Sequence, residues 1–246
     1  MPTQFSMRVF VAFLAAVHFL MAAGTLPAQT IKSQPISKEV AEALQQEKQA
    51  SDLAAKGHIA EAEALYRQSL ATVERSLPND PILVGSLNNF AQFYRAQQRF
   101  PEAEALLGRA LPICVALYGD NHTLTATVIN NFANSYLADR KYDEAEPLFR
   151  RGLAATEALL GPDHYAVAIS LDWLAQANFF QKRYAEAEAH LKRGIGIAEK
   201  SPGADPLLTV RLLDHLISVV RAQGREEEAA ALKARAEAMV KKPSSN

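Results

Sequence analysis

The sequence predicts an all-α fold, a solenoid of five helix–turn–helix repeats of about 42 residues each. Three observations predict it. Small residues recur in fixed columns: Ala62, Ala103, Ala145, Ala187 and Ala229 fall 41, 42, 42 and 42 residues apart. Ser69, Ala110, Gly152, Gly194 and Ala236 keep the same spacings, and Ala50, Ala91, Ala133 and Ala175 form a third column. Within each unit the apolar residues keep helical period. Leu87, Phe90, Ala91 and Tyr94 trace one face, and Ile129, Phe132, Ala133 and Tyr136 repeat it. Finally, a polar turn separates two such stretches in every unit: AKGH at 55–58, AQQRF at 96–100, ADRKY at 138–142, QKRY at 181–184 and AQGR at 222–225.

The elements follow in order. Met1 to Arg8 carries one basic side chain, and Val9 to Ala23 (VFVAFLAAVHFLMAA) is apolar apart from His18. Small residues at Ala22, Gly24 and Ala28 then offer cleavage sites, so residues 1–28 read as a secretory signal peptide cut after Ala28 or, second, after Gly24. The alternative is a retained N-terminal membrane anchor. No cysteine follows the run, which argues against a lipid-modified exit. The expectation is export across a bacterial inner membrane, with a periplasmic or secreted mature chain. Residues 29–36 form a flexible lead-in. The array spans 37–241 in five units, 37–77, 81–119, 123–161, 165–200 and 206–241, and 242–246 is a loose tail.

Local signals agree with these units. Asp80-Pro81 and Asp205-Pro206 each place a capping carboxylate before a proline at the first helical position. Asn121 and Asp163 are positioned to cap in the same way. A glycine inside a helix costs roughly 1 kcal/mol against alanine, so Gly152 and Gly194 imply close approach of a neighbouring helix. The core columns Tyr66, Leu107, Phe149, Leu191 and Leu70, Leu111, Leu153, Ile195 turn into Lys233 and Glu237 in the fifth unit. Those positions would face a sixth unit, so polar residues there close the array.

Composition narrows the function. With 26 basic and 27 acidic side chains the net charge is −1, which gives no field to gather phosphates, and nucleic acid is not an expected partner. The single cysteine, Cys114, permits no internal disulfide framework and reads as a buried small hydrophobe. GxxxxGK[ST], GxGxxG, GxSxG and HExxH are all missing. Histidines 58, 122, 164, 190 and 215 are scattered; His122 and His164 recur in GDNH and GPDH loops and read as loop caps. The pairs Glu61/Glu63, Glu102/Glu104, Glu144/Glu146 and Glu186/Glu188 lie in first turns of second helices, where they complement the helix dipole rather than form acid–base dyads. No catalytic residue, metal or cofactor is expected.

The stretches LNNFAQFYRAQQRFPEAEALLGRAL (87–111) and INNFANSYLADRKYDEAEPLFRRGLAATEALLGPDH (129–164) resemble tetratricopeptide repeats, and more narrowly the 42-residue variety of kinesin light chains. The resemblance covers 37–241 and is specific in the three middle units. It weakens in the first, where Gln46, Lys48 and Gln49 occupy the usual apolar stretch, and in the last, where Ile217 replaces a small residue. It implies a right-handed superhelix whose first helices line a concave groove, and a scaffold that binds a peptide or protein there. A motor role is not implied, because an exported protein would not meet a motor.

The groove-lining positions that match the family are Asn88, Gln92 and Arg95; Asn130, Asn134 and Leu137; Asp172, Gln176 and Phe179; and Asp214, Ser218 and Arg221. Of these, Asn88, Gln92, Arg95, Asn130, Asn134, Asp172, Gln176 and Phe179 are the candidate binding residues. Carboxamides both donate and accept, so a row of them can bond an extended backbone without reading its sequence. The bland reading of such a stripe is a solvated helix face. Asn89 and Asn131 serve either the groove or a neighbouring helix. Trp173, the single tryptophan, and Phe180 serve the groove or fill the joint with the next unit. A structural role in an envelope assembly, through the solenoid ends or convex face, is the competing function.

Overall fold

The structure, a computed structural model, describes residues 36–201 and 205–241. The expected signal peptide (1–28), most of the lead-in and the tail (242–246) lie outside the described residues. Ten helices and no strands occur among the described residues: α1 Lys38–Ala55, α2 Ile59–Ser76, α3 Pro81–Ala96, α4 Phe100–Tyr118, α5 Thr123–Ala138, α6 Tyr142–Leu160, α7 Tyr165–Phe180, α8 Tyr184–Lys200, α9 Pro206–Ala222 and α10 Glu226–Lys241. Odd and even helices pair as antiparallel hairpins, and each even helix packs on the first helix of the next hairpin. The result is the expected all-α solenoid of helix–turn–helix repeats.

Sequence decides where each helix starts. Asp80 and Asp205 accept hydrogen bonds from the amides of Ile82 and Leu207, at 2.8 Å and 2.9 Å, each before a proline. The caps of α5 and α7 correct the expectation for Asn121 and Asp163. There the imidazoles of His122 and His164 accept from Leu124 and Ala166, both at 3.2 Å, while Asn121 and Asp163 stay exposed. A ring nitrogen that accepts a backbone N–H does the work of a short polar side chain. The hairpin turns close with one repeated bond, from the amide of His58, Arg99, Lys141, Arg183 or Arg225 back to the carbonyl five residues earlier. The residue before it has positive φ in all five turns: Gly57, Gln98, Arg140, Lys182 and Gly224. The chain uses glycine there in the end units and tolerates a side chain in the middle three.

The columns of small residues do what the spacing implies. Ala50, Ala62, Ala91, Ala103, Ala110, Ala133, Ala145, Ala187 and Ala229 have no exposed surface. At Gly152 a Cβ would collide with Oδ1 of Asn130, and it would stand 3.5 Å from Cγ2 of Ile129. At Gly194 it would lie 3.4 Å from the carbonyl oxygen of Ala168 and from Cδ2 of Leu212 in the next unit. Around these close approaches the large side chains Leu87, Leu107, Ile129, Phe149, Leu171, Leu191, Leu212 and Leu213 are fully buried. Each such burial contributes about 1.5–3 kcal/mol. Lys233 and Glu237 are exposed on α10 and pair with each other at 3.9 Å.

Two ladders of charge run across the hairpins. In one, Arg109, Arg193 and Arg235 reach back to Glu74, Glu157 and Glu199 of the preceding unit, and Arg151 to Asp120 in the link before its own unit. In the other, the second glutamate of each Glu-x-Glu pair meets the basic residue of the next turn: Glu63–Arg99 at 2.5 Å, Glu104–Lys141 at 2.7 Å, Glu146–Arg183 at 3.9 Å and Glu188–Arg225 at 2.6 Å. The dipole explanation of these glutamates therefore covers half of their role. They also tie neighbouring repeats together.

Candidate binding face

Successive first helices touch directly, α1 against α3, α3 against α5 and α7 against α9. Their contact is organised by an offset of one residue. The groove position of one unit meets the following position of the next: Asn89 donates to Glu47 at 3.3 Å, and Asn131 donates to Asn88 at 2.7 Å. In the last pair Asp172 meets His215 at 2.5 Å. Glu47 is buried and also accepts from Ser69 at 3.1 Å, so its carboxylate is held from both sides. Asn89 and Asn131 are thus residues of the joints, the reading that serves a neighbouring helix.

The eight candidates divide accordingly. Asn88 is half-buried with its side-chain oxygen engaged by Asn131. Asn130 turns its buried oxygen against the backbone of Gly152, where it has no hydrogen-bond partner. Asn134 is 6% exposed, and Asp172 is 1% exposed beneath His215 and Arg211, the latter at 3.1 Å. Asp172 presents no open polar group. Gln92, Arg95, Gln176 and Phe179 are partly exposed, along with Leu137. Phe179 packs its ring against Phe180 and Tyr184, with centroids 5.5 Å and 5.6 Å away.

Two aromatic assignments change direction. Trp173 stacks on Phe149 with centroids 6.2 Å apart, and Phe180 stacks on Tyr142 at 5.0 Å. Both partners belong to the preceding unit, so these rings fill the joint behind the fourth unit rather than the joint ahead of it. Phe180 remains 49% exposed.

Sequence reasoning missed Glu47, Arg211 and His215 as parts of this face. The signal was present in the spacing: a pair offset by one position lies 43 residues apart in the 42-residue register, as Asn88/Asn131 and Asp172/His215 do. Only a residue-level view of how neighbouring helices lean reveals that offset.

Electrostatically, Arg95 stands apart. Burial pushes its guanidinium down to about 10, and no charged group offsets that effect. Its Nε is buried without a hydrogen-bond partner. Cys114 is buried on α4 beside Thr125 Oγ1 at 3.3 Å, and burial pushes its thiol up. Among the described residues no three His, Cys, Asp or Glu side chains gather in a metal-like group. No described helix is long and apolar enough to cross a membrane.

An array of stacked helical hairpins with a polar row along its first helices defines a protein–protein interaction scaffold. The chain belongs to the tetratricopeptide repeat family, whose model matches residues 83–158, 127–200 and 167–242. A search of curated protein sequences finds no match. Among solved structures, a putative kinesin light chain from Podosopora anserina with nearly identical repeats superposes with a TM-score of 0.74 at 22% identity, covering 85% of this chain and 100% of that one. BtubC (BKLC) from P. vanneervenii gives 0.69 at 22% identity, covering 84% and 91%. MamA from Desulfovibrio magneticus RS-1 gives 0.61 at 13% identity, covering 86% and 100%. At these identities the likeness establishes the fold alone.

Proposed function

We propose that this protein is an exported adaptor that holds an extended peptide, or an extended segment of a partner protein, against the concave face of its first helices. The observation that carries the reading is the row of partly exposed Gln92, Arg95, Gln176 and Phe179, set on first helices that are hydrogen-bonded to each other at three of their four joints. Side chains such as Asn88 and Asp172 fix the spacing of the row, and the others remain available. A backbone laid across the row meets carboxamides that donate and accept. Family membership supports the same use. Export rests on the N-terminal sequence: one basic residue, an apolar run and a small-residue exit.

Site-specific photocrosslinking tests the binding reading. A photoreactive residue at Gln92 or Gln176 should capture a partner in envelope extracts, and the same group at Gln68 or Lys192 on second helices should not. Capture from the second helices alone would instead favour a structural subunit that uses its convex face. The mass of the protein recovered from its native cell tests export: a chain starting at Gln29 supports it, and an intact Met1 in the cytoplasm refutes it.

A further inference from the structure

The second helices of the first four units share one ion pair, and α4 holds only half of it. Glu63, Glu146 and Glu188 each meet a basic side chain one turn on: Arg67 at 2.7 Å, Arg150, and Lys192 at 2.6 Å. On α4 the glutamate is Glu104, and the residue one turn on is Gly108. Glycine in a helix interior weakens the helix. Crowding does not call for it here, because a Cβ on Gly108 would stand 3.6 Å from Cζ of Phe132, an ordinary contact.

The complete arrangement in the first unit shows what α4 lacks. Oε2 of Glu63 accepts from Arg99 at 2.5 Å, and Oε1 accepts from Arg67 at 2.7 Å and from the Tyr94 hydroxyl at 3.0 Å. Arg67 also donates to that hydroxyl at 2.9 Å. In the second unit Oε2 of Glu104 accepts from Lys141 at 2.7 Å, the counterpart of Arg99. Its Oε1 is buried and has no hydrogen-bond partner among the described residues. Tyr136 and Phe132 keep the places of Tyr94 and Phe90. Phe90 and Tyr94 are buried, whereas Phe132 and Tyr136, stacked with centroids 4.7 Å apart, are both partly exposed. The place that Arg67 fills on α2 is thus open to the surface on α4.

Charge and wall chemistry narrow the occupant. Around Tyr136 the carboxylates of Glu104 and Glu144 act against one ammonium, Lys141, which Asp139 also shares at 2.7 Å. Glu102, Glu186 and Glu228 pair with the arginine three residues before them; Glu144, in the same register, is exposed with no ion pair among the described residues. Burial pushes the Glu104 carboxyl up, whereas Glu63 with its full set of donors is held down to about 2. Two turns beyond Gly108, Val115 stands where the other units have Glu74, Glu157 and Glu199, and it is partly exposed. A cation is missing, and an apolar wall stands beside its place.

We propose that the seam between α4 and α6 is a second docking site, which takes an arginine of a partner protein over Gly108, with an apolar side chain beside it against Val115. The guanidinium would donate to Glu104 and the Tyr136 hydroxyl and lie on the Phe132 ring, as a planar fork that also stacks on aromatic faces can. The partner then supplies in trans the bond that Arg67 makes within α2. This site lies apart from the row on the first helices and does not depend on it.

Fluorescence anisotropy on the full chain tests this with a labelled, end-capped Gly/Ser peptide that carries one Arg flanked by Leu. A second peptide replaces Arg by citrulline, its uncharged isostere. The Arg peptide should bind about tenfold tighter, the scale of one charge-assisted hydrogen bond. Glu104→Gln should abolish the difference, and so should Gly108→Arg, which fills the place from within. Equal binding of the two peptides overturns the proposal, as does failure of both to bind. A preference that survives either substitution, in a variant with unchanged circular dichroism, overturns it too. L-argininamide that competes as tightly as the peptide would assign the place to a free guanidinium compound and remove the partner protein. A readout without ligand guards against a variant that fails to fold: Gly108→Arg should melt above Gly108→Gln, and equal melting would show that the place does not hold a guanidinium.

Discussion

The joint between the third and fourth units and the joint between the fourth and fifth are built from the same register, yet they hold by different means. In the later joint Asp172 meets His215 between first helices, and Glu188 meets Arg225 at 2.6 Å beside the turn. In the earlier joint Asn130 would need a polar partner at position 173 and finds Trp173, and Glu146 lies 3.9 Å from Arg183. Rings take over: Trp173 on Phe149 and Phe180 on Tyr142. Gln181 adds a polar tie, donating to Asp143 at 2.8 Å and to the carbonyl of Tyr142 at 3.2 Å. The apolar core reflects the change. One cluster runs from α1 to α5 and another through the last two units, with a small cluster of Ala133, Ala145, Phe149, Leu174 and Ala177 between them. Repetition of fold does not require repetition of chemistry at each seam.

The largest test of this contrast is Trp173→Ala. Removing a half-buried indole from the seam should destabilise the domain by about 2–3 kcal/mol, read from urea denaturation. Because stability in such arrays is a sum of units and nearest-neighbour seams, the transition should also broaden or split, with the first three units separating from the last two. A single transition of unchanged steepness would show that the polar tie and the arginine ladder carry this seam without the ring.

How much of this was legible beforehand depends on which interaction set the residue. The alanine and glycine columns and the 3.6-residue period are fixed by helix contact within a hairpin, and such contact writes itself into sequence at constant spacing. The turn and cap chemistry was half legible. Asp80 and Asp205 follow a local rule, whereas His122 displaces Asn121 because the chain enters α5 one residue later than the side-chain type suggests. The candidate face was least legible. Asn88 and Asp172 share a position in the repeat, but one is half open and the other is 1% exposed. That difference comes from Arg211 and His215 on the following helix, at positions that the pattern of a single repeat does not contain.

A second, smaller test concerns Asn178. Tyr94 holds the equivalent position two units earlier and reaches Glu63 of the preceding unit at 3.0 Å. The side chain of Asn178 has no exposed surface, and neither Oδ1 nor Nδ2 is bonded. A carboxamide buried in this way costs about 1–3 kcal/mol in lost hydration. Asn178→Val, which copies Val220 of the fifth unit, should therefore stabilise the protein by about 1 kcal/mol in thermal denaturation. A loss of stability would mean that the amide is satisfied by a partner such as buried water, and that this seam is less apolar than its rings suggest.

The smallest effect separates the two seams by charge. Glu188 is held down to about 2, first by its hydrogen bond to Arg225, and Glu63 is held down to about 2 in the same way by Arg99. Both start from an ordinary value of 4.5. A carboxyl group whose folded value is depressed contributes stability above its unfolded value and loses it as pH falls toward the folded one. The contribution is thus complete above about pH 4.5 and fades toward about pH 2. Glu188→Gln should cost about 1 kcal/mol at neutral pH, the scale of one charge-assisted bond at a partly exposed site. It should also flatten the fall in melting temperature below that threshold. Glu146→Gln, at the seam where the arginine stands 3.9 Å away, should cost less than about half as much. Equal costs for the two substitutions would mean that Arg183 closes on Glu146 in solution, and the difference between the seams would then rest on the rings alone.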